Sequence, residues 1–413
     1  MGNIMTCKIN ADTTDGLKIV SDTSGAVDIQ SNGATKVTID ANGNVNTVGQ
    51  VSTTDNGTIV TRQNAKPLII NGDMHVAQRA TSVTGKTTDG YYTVDRMKNK
   101  LNDAGTYTIS QSTDVPSGYG FTKSLKYDVT TAKDSPSAGT LGSLDYHVEA
   151  QDLQLLKYGT SSAQKLTFSF WVKSPKTGTH ILSMTSPDGN RHIAKAYTVS
   201  SANTWENHIC NFDGDTSGTI NDDNGSGFQL QWLLVAGSNY QSGTLATSWA
   251  SYTAANAYVG QVNCADNASN DFFITGIQME IGEFTSSTIP SFQHESFGDS
   301  LIRCQRYCYK ILNDTGSTKY TTIGLAQGTG RGYGVWQFTE MRTAPTVSLS
   351  NVAEFQPLNG AGAPQADFTT VTGANSTKTM MLFDLSGSSG LTSGQACAIG
   401  MKDGESILAT AEL

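Results

Sequence analysis

Lys165-Leu-Thr-Phe-Ser-Phe-Trp-Val-Lys173 puts Leu166, Phe168, Phe170 and Val172 on one side of an extended chain and Thr167, Ser169 and Trp171 on the other. Side chains of a strand alternate with a period of two, so this stretch covers one face of a sheet packed about 10 Å from a second. Phe228 to Val235 repeats the device with Phe228, Leu230, Trp232 and Leu234, and Phe273, Ile277, Met279 and Ile281 supply a third apolar face. These strands predict a jelly-roll β-sandwich over residues 63–292. Val148 to Tyr158 is the exception: Leu153 and Leu156 stand at helical spacing, and Gly159 reads as a stop.

Toward the N-terminus, residues 16–51 repeat a short strand and turn. Leu17 and Ile19 recur as Val27 and Ile29, then as Val37 and Ile39, with Ser24-Gly25, Asn32-Gly33 and Asn42-Gly43 between and after them. Such strands carry too few inward side chains to fold alone, because segments below about 40 residues rarely build a sufficient core. Residues 1–62 are therefore expected to be a short-strand fibre segment completed by other copies of the chain, a homotrimer.

Toward the C-terminus, residues 293–311 predict a connecting helix, with Phe297, Leu301, Cys304 and Cys308 as its stripe. Alternation returns in Tyr333-Gly-Val335-Trp-Gln-Phe338 and Met380-Met-Leu382-Phe-Asp-Leu385, which predicts a small β-sandwich over residues 312–413. The fold class is all-β: fibre segment, jelly roll, connecting helix, distal sandwich.

Composition excludes several functions. Only 15% of the 413 residues are charged, and the net charge is −9 without a Lys/Arg cluster, so nucleic acid is not an expected partner. No run of about 18 apolar residues appears, and no basic segment precedes an apolar one, so neither membrane insertion nor a signal peptide is expected. Met1-Gly2-Asn3-Ile4-Met5-Thr6 fits a myristoylation pattern that many chains match by chance. The six cysteines are scattered, which favours free buried thiols. Cys304 and Cys308 have only His294 nearby as a further ligand, too few for a tetrahedral metal site.

Several ordered motifs resemble β-sandwich structural proteins of tailed bacteriophages, the tail and fibre proteins. Leu68-Ile-Ile-Asn-Gly-Asp-Met-His-Val-Ala-Gln-Arg79 is similar to the start of that family's domain, and Tyr92 to Arg96 to the element that follows. Glu149-Ala-Gln-Asp-Leu153 and Leu166 to Lys173 resemble its central helix and strand. Phe273 to Gly282, Phe292 to Asp299 and Cys304-Gln-Arg-Tyr307 resemble its C-terminal half; Met341 to Val347 and Ala411-Glu-Leu413 resemble its distal module. The N-terminal repeat resembles phage fibre repeats more loosely. Together these cover about residues 66–350 and the last few. The resemblance implies a virion protein, assembled in the host cytoplasm, with a sandwich similar to carbohydrate-binding modules and no catalytic set. Met97 stands where the family pattern has Trp.

No nucleophile elbow, phosphate loop or His-Glu-x-x-His motif is present, so no enzyme is expected. Glu149, Asp152 and Glu280 would have to supply a glycosidase pair, and helix-dipole placement explains the first two. His147, close to Glu149, is expected to be solvated or to cap. Asp213-Gly-Asp215 and Asn221-Asp-Asp-Asn224-Gly225 have the oxygen ligands of a structural Ca²⁺ site, but turn chemistry accounts for them, and no cofactor is expected. Sugar contact calls for flat aromatic faces with amide partners. Trp171, opposite Phe168 and Phe170, and Trp249 and Tyr252, in the uncharged stretch Tyr240 to Ala257, are the candidates; Trp232 belongs to the core stripe.

The reading is a homotrimeric phage fibre that attaches to a host-surface glycan by multivalent contact. A structural head fibre or capsid or tail decoration protein, binding other virion proteins only, and a polysaccharide-cleaving tailspike are the alternatives.

Overall fold

A computed structural model describes residues 27–31, 34–39, 45–47, 51–53, 57–59 and 66–413. The chain divides into two compact units, Met1–Arg62 with Ser287–Pro290, and Gln63–Ser286 with Ser291–Leu413. The first repeat strand, with Leu17 and Ile19, and Cys7 lie outside the described residues.

In the first unit, Val27–Ser31, Ala34–Ile39 and Val45–Thr47 form an antiparallel sheet in that order. Ile39 stands opposite both Val27 and Val45, and Ile29 opposite Val37, so the apolar residues share one face. Among the described residues of that face, Ile29 is 52% exposed, Ile39 37% and Val45 64%, while Val27 and Val37 are half-buried. Val51–Thr53 pairs with Gly57–Ile59 in a separate hairpin.

The second unit begins with the expected all-β sandwich. One six-stranded sheet runs Glu206–Phe212, Leu166–Lys173, Asp271–Ile281, Ser124–Thr131, Thr106–Ser112, Ser82–Lys86. The seven-stranded sheet runs Ala250–Ser251, Arg191–Val199, Gly178–Ser186, Ser226–Ala236, Leu141–Glu149, Lys98–Asn102, Gly90–Tyr91. The period-two alternation drives both: Leu166, Phe168, Phe170 and Val172 meet Phe228, Leu230, Trp232 and Leu234 in one buried cluster. Trp232 is fully buried, and so is Met97.

Where a helix is expected at Val148–Tyr158, the chain makes a 3₁₀ helix, Ala150–Leu156, burying Leu153 and Leu156. It ends at Lys157, whose φ of 55° already breaks the helix ahead of Gly159. The connecting helix is also shorter than expected. Ser296 caps Phe297–Gln305 by accepting the Asp299 N–H at 3.2 Å, and Cys308–Leu312 is a strand. The ladder with Ser406–Thr410 overrides the helical stripe, because Tyr309 and Ile311 pack on the distal core. Cys304 and Cys308 are each buried, on different elements, while His294 meets the Tyr119 carbonyl.

The distal module stacks a three-stranded sheet (Cys308–Leu312, Ser406–Thr410, Thr346–Leu349) on a six-stranded one. The latter runs Phe355–Leu358, Ala396–Met401, Lys319–Gly328, Arg331–Gln337, Met380–Ser386, Thr370–Ser376. Trp336, Phe383, Ile399 and Ile407 fill the space between. Gly334 is required there: a Cβ would lie 2.7 Å from the Trp336 ring.

Candidate functional site

The outer face of the seven-stranded sheet carries a recess. Inward placement of Phe228, Leu230 and Trp232 sends Gln229 and Gln231 outward, where the register sets Gln231 beside Asp145 and Ser183, and Gln229 beside Thr185. The segment after Ser226–Ala236 then folds back over the same face. Tyr258 N–H donates to the Tyr240 carbonyl at 3.1 Å, Tyr252 N–H to the Asn190 carbonyl at 2.9 Å, and Ala194 N–H to the Ala246 carbonyl at 2.7 Å. Tyr258, Ala257, Ile181, Ala194 and Leu233 bury one another beneath it.

The result is a cavity of about 440 Å³ lined by Tyr240, Tyr252, Tyr258, Gln229, Gln231, Lys100, Asn190 and Thr185 together with Leu141 and Pro187. That volume lies within the about 300–1,000 Å³ usual for small-molecule sites.

Its floor is held rigid. Asp145 is 1% exposed and accepts from Gln229 Nε2 at 2.7 Å, from Gln231 Nε2 at 3.2 Å and from the Ser143 hydroxyl. Burial raises the Asp145 carboxyl above its ordinary range, and those hydrogen bonds oppose the rise only in part. Tyr258 donates its hydroxyl to Gln231 Oε1 at 2.5 Å, so both ends of that amide are used. Gln229 gives its amide N–H to Asp145 and has no other side-chain bond among the described residues. Lys100 is lowered by burial but raised further by its 3.0 Å bond to Asp89, with Asp145 adding to the rise. Tyr252 packs against His192 with ring centroids 5.0 Å apart, and burial raises its hydroxyl pKa. Aromatic faces beside oriented amides suit a polyol with alternating C–H and O–H surfaces.

The three candidate residues separate. Tyr252 lines the recess. Trp249, three residues earlier, packs on Phe228 and Tyr158 and donates its indole N–H to the Asp213 carbonyl at 2.7 Å, which makes it an edge of the core. Trp171 belongs to the other sheet. A bulge at Gly276, φ 63°, leaves it half-buried under Tyr119, with ring centroids 4.3 Å apart.

Tyr240, Tyr258, Gln229, Gln231, Lys100 and Asn190 were not singled out by the sequence. The outward parity of the two glutamines in a strand read only for its apolar side was the signal.

Other candidates are engaged internally. Glu149 accepts from Arg306 at 2.7 and 2.8 Å and from Tyr307 at 2.5 Å. His147 is buried rather than solvated, with Ser226 Oγ 2.9 Å from its Nδ1. Asp215 accepts from Arg191 at 2.6 Å, and Asp223 from the Gly225 N–H at 2.8 Å, which is turn chemistry. Among the described residues no group of three or more His, Cys, Asp or Glu side chains is placed to hold a metal. A second recess of about 440 Å³ is lined by Lys66, Gln151, Asp152, Arg303 and Arg306. Its arginines are committed to Glu295 and Glu149.

No protein-family model matches the sequence, and no curated protein matches it. Among solved structures, the enzymatically active domain of bacteriophage CBA120 tailspike protein 4 aligns at 12% identity and TM-score 0.27, over 52% of this chain and 21% of that one. A putative sugar binding protein from Bacteroides thetaiotaomicron aligns at 11% identity and TM-score 0.30, over 52% of this chain and 100% of that one. The family 11 carbohydrate-binding module from Clostridium thermocellum, in complex with a mixed-linked tetrasaccharide, aligns at 15% and TM-score 0.24, over 49% of this chain and 96% of that one.

Proposed function

We propose that the chain is a non-catalytic, self-associating virion fibre protein that holds a surface glycan in the tyrosine-lined recess. The observation that carries the glycan reading is the recess itself: three tyrosines around two glutamines fixed by a buried carboxyl. The described lining combines tyrosine rings with glutamine and asparagine amides, a set that suits binding a polyol.

Self-association is supported by the exposed apolar side chains Ile29, Ile39 and Val45 of that sheet. A homotrimer would cover them and would present several recesses at once, so weak single sites gain from high effective concentration. The ordered phage-like motifs support a virion location.

The test is an array of bacterial surface oligosaccharides probed with the intact protein and with Tyr240→Ala and Tyr252→Ala. The expected result is saturable binding to a small set of glycans, weakened about tenfold by each replacement. Release of reducing sugar would replace this reading with the tailspike one. Absence of any glycan ligand, with binding only to capsid or tail proteins, would favour the decoration reading.

A further inference from the structure

Among the described residues one ammonium lines the recess, and it is already engaged. Parity in Lys98–Asn102 turns Leu101 into the core and Lys100 to the outer face, where it stands beside Ser143. Lys100 Nζ lies 3.0 Å from Asp89 Oδ2, and the other Asp89 oxygen accepts the Leu101 N–H at 2.8 Å. That backbone bond fixes the carboxylate, so the ion pair is held in place beside the lining. Two more carboxylates surround the recess. Asp145 lies beneath the floor, joined to Ser143, Gln229 and Gln231. Asp188 stands at the rim between the lining residues Pro187 and Asn190, and accepts from the Asn221 backbone N–H and Nδ2, each at 2.9 Å, rather than from a cation. Lys98, the register partner of Asp145, is turned to the Leu413 oxygen at 3.2 Å.

We infer that the recess takes uncharged glycans and turns away acidic ones, and that Asp89 sets this choice by occupying Lys100. The inference rests on the glycan reading proposed above and names the class of sugar. Two arguments carry it. The first is charge. A sugar carboxylate entering the recess meets an ammonium already neutralised and the field of three carboxylates, so it gives up its hydration without gaining a counter-charge. The net charge of −9 acts in the same sense at longer range, since it repels polyanions. The second argument is the direction of the hydrogen bonds. Gln229 gives Nε2 to Asp145, which leaves its Oε1 as an acceptor. A hydroxymethyl group can donate to that oxygen, whereas a carboxylate only accepts. A site discriminates well when the wrong ligand is left with an unpaired charge.

The experiment uses the full chain, as wild type and as Asp89→Asn, in calorimetric titrations against matched probes. These are neutral hexose oligosaccharides taken from the array and the same oligosaccharides oxidised at C6 to uronates. Asparagine keeps an acceptor for the Leu101 N–H, so the backbone contact survives while Lys100 is released. The expected result is that the wild type binds the neutral member at least about tenfold more tightly. Asp89→Asn should narrow that gap to about threefold or less by strengthening uronate binding. Equal binding of the two members by the wild type, or a preference for the uronate, overturns this inference and leaves the glycan reading standing. An unchanged gap in Asp89→Asn also overturns it, because something other than the Lys100 pair then sets the choice. Failure of every oligosaccharide on the array to bind removes both.

Discussion

Arg96 donates through Nη1 to Glu412 Oε2 at 2.7 Å, joining side chains 316 residues apart in sequence. The arginine is 1% exposed, gives Nη2 to the His147 carbonyl, and lies 3.5 Å from the centroid of the Tyr307 ring. Arg79 reaches the other Glu412 oxygen at 3.1 Å, and Arg342 donates to the Ala411 and Glu412 carbonyls at 2.8 and 2.7 Å. The last residues of the chain thus clasp the distal module to the sandwich.

Glu412→Ala should therefore destabilise strongly. It leaves a buried guanidinium without its carboxylate, a loss of about 3–5 kcal/mol in systems of this kind. Glu412→Gln keeps an acceptor and should lose less. Urea denaturation of the purified chain checks both, and equal, small effects would mean that the contact contributes little.

Trp249 and Tyr252 should part company on replacement. Trp249→Ala removes packing on Phe228 and Tyr158 and should cost about 2–3 kcal/mol, below the fully buried range because the ring is half-buried. Tyr252→Ala removes packing on His192 only at the rim, so it should lower the melting temperature less than Trp249→Ala while weakening glycan binding. A calorimetric scan paired with a binding titration separates them.

Acid should destabilise the sandwich through two neutral histidines. Burial lowers His147 to about 3 and His180 to about 4, both from an ordinary value near 6.5. Below 6.5 the unfolded chain binds protons that the folded chain refuses. Stability is therefore full above 6.5 and falls toward 4, by up to about 1.4 kcal/mol per pH unit for each histidine. Asp95 runs the other way, since burial raises it to about 6 and its stabilising protonation is lost between 3.8 and 6. The readout is therefore a comparison: His147→Gln with His180→Gln should flatten the stability curve between pH 4 and 6.5 relative to the wild type. Parallel curves would contradict the assignment.

Ile29→Lys should break self-association if the N-terminal sheet face is the tether. It adds a charge to a face now half-exposed within one chain, so folding of the remainder is spared. Light scattering should fall toward 43.8 kDa, and an unchanged multimer would move the tether elsewhere.

Much of this architecture was legible because alternation in a half-buried strand records which face is dry. Leu166 to Val172 and Phe228 to Leu234 declare one inner face each, and both pack as read. The fate of Cys308 was not legible, since its apolar neighbours fit a helix until the pairing with Thr410 is known. The position of Trp249 was not legible for a related reason: an aromatic in a polar stretch reads as a surface contact, but its loop returns to the core edge. The recess is built from register. Nothing local in Gln231 reveals that Asp145 and Tyr258, 86 residues before it and 27 after it, will fix its amide.

The most direct measurement is a crystal structure of the intact chain soaked with the oligosaccharide that binds best on the array. A sugar ring seated between Tyr240 and Tyr252, hydrogen-bonded to Gln229, is the expected result. A ring stacked on Trp171, or seated beside Arg303 and Arg306, would contradict it.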